Sequence, residues 1–233
     1  MVMLKHPNKG EYFQTKVKDK RPEVERKLLN DVTWQSMEVK LEEMGAIEVF
    51  RGEVISYYYD ASPEFLANFF KEYRDIIKVG SSGGFWRLRE MNDKDGSNFY
   101  FAETRLHKVQ ISLFGAERME LTKMFDNYSS FDFDRRMYSG SLNLRQIEKK
   151  ERLLCILPKV EQFSFIKSGN VEYVRGLEYA LDKITEPTHV DPYLEVEAHS
   201  VELYFYGVKA IGRDTNDFID CSAKKLIDNE LKK

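Results

Sequence analysis

The chain has 233 residues, 36 Lys and Arg against 39 Asp and Glu, a formal net charge of −3 and 42% hydrophobic residues. That composition supplies a sizeable core and excludes a disordered chain, and no run approaches the ~18 uninterrupted apolar residues of a membrane helix. Near-balanced charge predicts no extended nucleic-acid-binding surface; two cysteines, Cys155 and Cys221, exclude a disulfide framework or a four-thiolate zinc site and fit a reducing, cytoplasmic compartment.

In chain order, MVMLKHPNKGEYF has no apolar leader core, so no secretory signal is expected. Residues 1–20 are polar and carry Lys5, Lys9, Lys16, Lys18 and Lys20; they read as a loose N-terminal arm before one domain over 21–233. A helix is predicted over 33–45, where Trp34, Met37, Leu41 and Met44 recur at helical spacing and Gly45 supplies a stop. A second is predicted over 63–78 behind Pro63, and a third over 217–233. The stretch 121–148 shows no clear apolar helix. Aromatic and β-branched segments fill most of the rest, broken by turn signals at 81–84, 92–98 and 167–170. The balance predicts α+β, with a dominant antiparallel sheet and helices outside it.

The strands share one unusual pattern. Residues two apart on a strand point the same way, and here ionic residues recur at that spacing. Glu23, Glu25 and Lys27 alternate with Val24 and Arg26; Arg87 and Arg89 flank Leu88. Glu103 with Arg105, Arg118 with Glu120, Lys150 with Arg152, and Glu195 with Glu197 repeat it. Like charges on one strand face need a counter-charge. Carboxylate pairs brought together make a hard-oxygen site for Mg²⁺ or Mn²⁺, and Arg and Lys turned to the same interior suit phosphate oxygens. A closed barrel with these residues inside would enclose a metal-bound polyphosphate.

These segments resemble, in order, the motifs of the CYTH superfamily, the triphosphate tunnel metalloenzymes. PEVERKLL (22–29) resembles its ExExK signature, EEMGA (42–46) its helix end, YYYD (57–60) its Tyr-Tyr-Asp strand, WRLRE (86–90) its R-x-R strand and KKER (149–152) its K-x-R strand. ALDKITEPTHVDPYLEVEA (180–198) resembles the aspartate strand and the last glutamate strand, and IGRDTNDFIDCS (211–222) the closing segment. The resemblance spans roughly residues 21–226 and implies a closed eight-stranded antiparallel tunnel with peripheral helices. It implies Glu23, Glu25, Asp182, Glu195 and Glu197 as metal ligands. It implies Lys27, Arg87, Arg89, Lys150 and Arg152 as triphosphate ligands, with Glu25, Lys27, Arg152 and Glu197 as the catalytic set. In place of the usual Thr-x-Lys strand stands AETRLHK, where Arg105 or Lys108 would take the lysine's part, Arg105 being preferred for its alternation with Glu103.

The implied activity is a Mg²⁺- or Mn²⁺-dependent triphosphatase acting on inorganic, nucleoside or thiamine triphosphate or on an RNA 5′ end, in a monomer or homodimer. Class IV adenylyl cyclase, which makes cyclic AMP from ATP, shares the motifs, and a non-catalytic polyphosphate or nucleotide binder is a third reading. The remaining signals are weaker. His6, His107, His189 and His199 lack zinc spacing, although His199 follows Glu197 by two and shares its face. Ser81–Gly84 has no GK[ST] after it, which excludes a Walker loop. The FDFD and ELYFY runs are read as barrel packing ahead of base stacking, and both cysteines as structural.

Overall fold

The computed structural model describes residues 6–19, 21, 23–74, 77, 85–112 and 115–232; the side chains of 85 and 105–119 are not described. The turn read at 81–84 and the lysines at 5 and 20 therefore lie outside the described residues.

Ten strands form one antiparallel sheet. They are β1 (Val24–Leu28), β2 (Ile47–Asp60), β3 (Phe85–Asp93), β4 (Asn98–Ser112), β5 (Gly115–Phe125), β6 (Leu144–Pro158), β7 (Phe165–Ser168), β8 (Val171–Glu186), β9 (Val190–Ala198) and β10 (Phe218–Ile219). Their order is β10-β1-β9-β8-β6-β2-β3-β4-β5, with β7 added to β8. The sheet curls so far that Glu23 and Glu25 at one end and Glu120 and Thr122 at the other line a single cavity. The antiparallel α+β tunnel expected from the sequence is present. It has ten strands in place of eight, and no β1–β5 ladder closes it among the described residues.

Six helices are described: α1 (Lys9–Lys18), α2 (Trp34–Glu43), α3 (Pro63–Phe69), α4 (Tyr128–Ser141), α5 (Val201–Ala210) and α6 (Ala223–Glu230). Each begins on an Asn, Ser or Thr whose side chain accepts the amide three residues on: Asn8, Thr33, Ser62, Asn127, Ser200 and Ser222. Such a cap contributes about 1 kcal/mol. Helices α2 and α5 cover one outer face of the sheet, packing on Leu153, Cys155, Leu177, Tyr179 and Val196. Helices α3 and α4 cover another part of the same outer side, over Trp86, Leu88, Ala102 and Leu121.

Several expectations change. The loose arm contains α1, which buries Tyr12 and Phe13 against Phe99, Phe101 and Tyr173. Burying each ring stabilises by about 1.5–3 kcal/mol, enough to fix an otherwise polar helix. The predicted 63–78 helix ends at Phe69, passes into a 3₁₀ turn at Lys71–Tyr73, and then reaches residues that are largely undescribed. The predicted 217–233 helix holds α6 only after the short strand β10. A helix does occupy 128–141; its Phe131 from the FDFD run is buried while Phe133 is exposed. The ELYFY run lies in α5, with Leu203, Tyr204, Gly207 and Val208 turned inward.

Candidate active site

The interior of the curled sheet follows from strand alternation. On β6, Arg152, Leu154 and Ile156 point inward while Leu153 and Cys155 point to the outer helices. The same alternation turns Glu25 and Lys27 of β1, Arg87 and Arg89 of β3, Lys150 and Arg152 of β6, and Glu195 and Glu197 of β9 into one cavity of about 610 Å³. At one end of this interior lies an apolar plug built on Tyr12 and Phe13 of α1. Asp60, Ser62, Arg145, Gln146, Ser222 and Lys224 line the cavity elsewhere.

One wall is acidic. Register places Glu25 opposite Glu197 and Lys27 opposite Glu195 across β1 and β9, and Glu178 opposite Glu197 across β8 and β9. Glu25, Glu195 and Glu197 each offer a carboxylate oxygen, all within 4.8 Å of one another. Lys27, 2% exposed, lies between Glu25 and Glu195 and pairs with both. Burial disfavours its charge, but the two carboxylates prevail and raise its pKa. Burial raises the Glu23 and Glu197 carboxyls above their usual range, and neighbouring carboxylates add to it. Glu23 lines the cavity beside His199, 3.5 Å from its Nε2, outside the three-carboxylate group. His199 is not among the residues that line the cavity; it lies behind Glu23 and Asp19, and burial lowers its pKa to about 4.

A second wall is basic and held by buried counter-ions; it meets the acidic one where Arg152 Nη2 lies 3.9 Å from Glu195 Oε1. Arg87 Nε donates to Glu103 at 2.7 Å, and Arg89 Nη1 lies 3.1 Å from the same carboxylate. Arg152 donates through Nε and Nη2 to Asp182, both at 2.7 Å, and Lys150 Nζ lies 2.9 Å from it. Burial opposes the Asp182 carboxylate, yet Arg152 and Lys150 hold it well below the usual range. Burial lowers the pKa of Arg89, and Arg87 beside it lowers it further. The Nε of Arg89 is buried and has no hydrogen-bond partner among the described residues, a spare donor in a site lined by cations.

Of the residues the sequence singled out, Glu23, Glu25, Lys27, Arg87, Arg89, Lys150, Arg152, Glu195 and Glu197 line the cavity. Asp182 does not; it lies behind Arg152 as a counter-ion. Arg105 pairs with Glu120 in the β4–β5 register, and its side chain lies outside the described residues. Sequence reasoning missed Lys16, Glu148 and Glu178. The alternations Glu148–Lys150–Arg152 and Glu178–Ala180–Asp182 carried the signal for the two carboxylates. A hard divalent cation fits the three carboxylate oxygens, which are the donors Mg²⁺ and Mn²⁺ prefer.

Among the described residues no helix is long and apolar enough to cross a membrane. No protein-family model matches the chain, and no curated protein sequence is significantly similar to it. Solved structures share its fold at low identity. The PH1012 protein of Pyrococcus horikoshii matches with TM-score 0.57 and 13% identity, over 88% of this chain and 98% of its own. A conserved hypothetical protein of Pyrococcus furiosus matches with TM-score 0.56 and 12% identity, over 88% and 99%. A candidate adenylate cyclase of Vibrio parahaemolyticus matches with TM-score 0.56 and 13% identity, over 90% and 99%.

Proposed function

We propose that this chain is a member of the CYTH superfamily and a divalent-metal-dependent triphosphatase. The carrying observation is one cavity in which Glu25, Glu195 and Glu197 converge on one wall and Arg87, Arg89, Lys150 and Arg152 line another. The ordered motifs and the shared fold support the same reading.

The protein's share of the chemistry is positioning and charge neutralisation. The forks of Arg87, Arg89 and Arg152 bind phosphate oxygens, and Lys150 adds a point charge. Glu103 and Asp182 are positioning residues: they hold the guanidinium groups in place before substrate arrives. Glu25, Glu195 and Glu197 would hold Mg²⁺ or Mn²⁺, which when bound polarises the phosphoryl oxygens. Lys27 stays charged between Glu25 and Glu195 and limits their mutual repulsion. Water then attacks a terminal phosphorus in line with the departing diphosphate oxygen.

The fold shared with the candidate adenylate cyclase of Vibrio parahaemolyticus favours a second reading, in which the 3′-hydroxyl of ATP attacks the α-phosphorus and diphosphate leaves. Incubation with Mn²⁺ and a panel of inorganic triphosphate, ATP, thiamine triphosphate and 5′-triphosphate RNA separates the two. Phosphate release that chelation and Glu197→Ala both abolish supports the hydrolase. Cyclic AMP supports the cyclase. Neither product from folded protein overturns both and leaves a binder.

A further inference from the structure

Between the two ion-pair groups of the basic wall stands a neutral side chain, Tyr58 of β2. Its register partners are Arg87 on β3 and Gln146 on β6, and all three line the cavity. The flanking Tyr57 and Tyr59 point the other way, one packed under Arg135 and the other on Trp86. Arg87 meets Tyr58 twice: its guanidinium carbon lies 5.6 Å from the ring centre, and Nη1 donates to Tyr58 Oη at 3.3 Å. Tyr58 Oη donates in turn to Glu148 Oε2 at 3.1 Å, and Glu148 Oε1 lies 3.5 Å from Lys150 Nζ. Glu148 is itself buried. Arg87, Tyr58, Glu148 and Lys150 thus form an unbroken run of contacts across β3, β2 and β6.

We propose that Tyr58 is a positioning residue for triphosphate binding: backed by Glu148, it fixes the Arg87 guanidinium and ties the two halves of the basic wall together. The inference rests on the triphosphate reading above. Its physical basis is the shape of the arginine fork. Glu103 holds one edge, through Nε at 2.7 Å and Nη2 at 2.6 Å. Tyr58 holds the remaining nitrogen and covers a face of the group. A long side chain ordered in this way before the ligand arrives loses less freedom on binding. A phenol suits both contacts, because its ring attracts the cation and its oxygen accepts from it. Its proton then needs an acceptor of its own, which Glu148 supplies. Burial, and then Glu148, raises the Tyr58 pKa, so the phenol keeps that proton. Phenylalanine would retain the ring contact alone.

The test is calorimetric titration with imidotriphosphate, whose nitrogen bridges resist hydrolysis, in the presence of Mn²⁺. Tyr58→Phe should bind about threefold more weakly than wild type or worse, and Tyr58→Leu more weakly still. In an Arg87→Ala background, Tyr58→Phe should change the affinity by less than about twofold, because the group it positions is gone. Equal affinity of wild type and folded Tyr58→Phe would overturn the inference. So would the same loss in both backgrounds, since the phenol would then act on the ligand or the fold and not through Arg87. A crystal structure of wild type with imidotriphosphate decides even if the variants do not fold. Arg87 Nη1 should stay on Tyr58 Oη while the guanidinium binds a phosphate oxygen, and a guanidinium turned away from Tyr58 would overturn the inference. No binding by folded wild type would instead refute the triphosphate reading, and the inference with it.

Discussion

Asp182→Asn is the sharpest probe of how the basic wall is held. Asp182 is fully buried, accepts two 2.7 Å hydrogen bonds from Arg152, and lies 2.9 Å from Lys150 Nζ and 3.3 Å from Tyr193 Oη. The substitution keeps the shape, removes the charge and turns an amide donor toward cationic donors. Breaking one side of a buried ion pair costs about 3–5 kcal/mol, because the remaining charge is left uncompensated. For a domain of this size each kcal/mol moves the melting temperature by about 2–4 °C, so a fall of about 6–20 °C is expected. The assay is urea and thermal unfolding without ligand. Inorganic triphosphate should then stabilise the variant, since at one hundred times Kd a ligand of the folded state contributes about 2.7 kcal/mol. Unfolding within about 0.5 kcal/mol of wild type, the range of an inconsequential surface change, would refute the counter-ion assignment.

Further outcomes follow from particular contacts. Gly176 has φ of 72°, and a Cβ there would lie 2.5 Å from the His199 ring; Gly176→Ala should lower stability in urea by about 1–3 kcal/mol. Burial pushes the Cys155 thiol up to about 12 and also raises Cys221, so neither should react with a disulfide reagent in native protein at pH 8, while both react in guanidinium. Although partial burial opposes it, Arg21 holds Asp19 down to about 2 with help from His199 and Arg175. Its folded pKa lies below the unfolded value near 3.9, so its stabilisation is full above that pH and fades as pH falls toward 2. Asp19→Asn should flatten this part of the acid-unfolding curve, and an unchanged curve would contradict the pairing.

The charged lining was legible because it is local. A strand fixes side-chain direction every second residue, so Glu25 and Lys27, or Lys150 and Arg152, declared a shared face without knowledge of their neighbours. What the lining faces depends on cross-strand register, which no short segment encodes. For this reason Asp182 was read as a metal ligand and emerged as the partner of Arg152. Helix α1 was illegible because its buried surface amounts to Tyr12 and Phe13, and the apolar end of the tunnel supplies the rest. Helix α5 hid behind its composition: VELYFYGVKA reads as strand by residue type. Ser200 caps it, and Gly207 brings it against Leu177 and Tyr179, whose hydroxyl donates to the Gly207 carbonyl. Closure of the sheet is the least local property, and among the described residues the expected eight-stranded ring is a ten-strand path with no ladder between β1 and β5.

The central claim is that the tunnel holds a triphosphate against its basic wall. Calorimetric titration of inorganic triphosphate into the folded protein with Mn²⁺, in wild type and Arg87→Ala, tests it most directly. The account predicts one triphosphate per wild-type chain and at least tenfold weaker binding in the variant. No binding to folded wild type, or equal binding by both proteins, would contradict it.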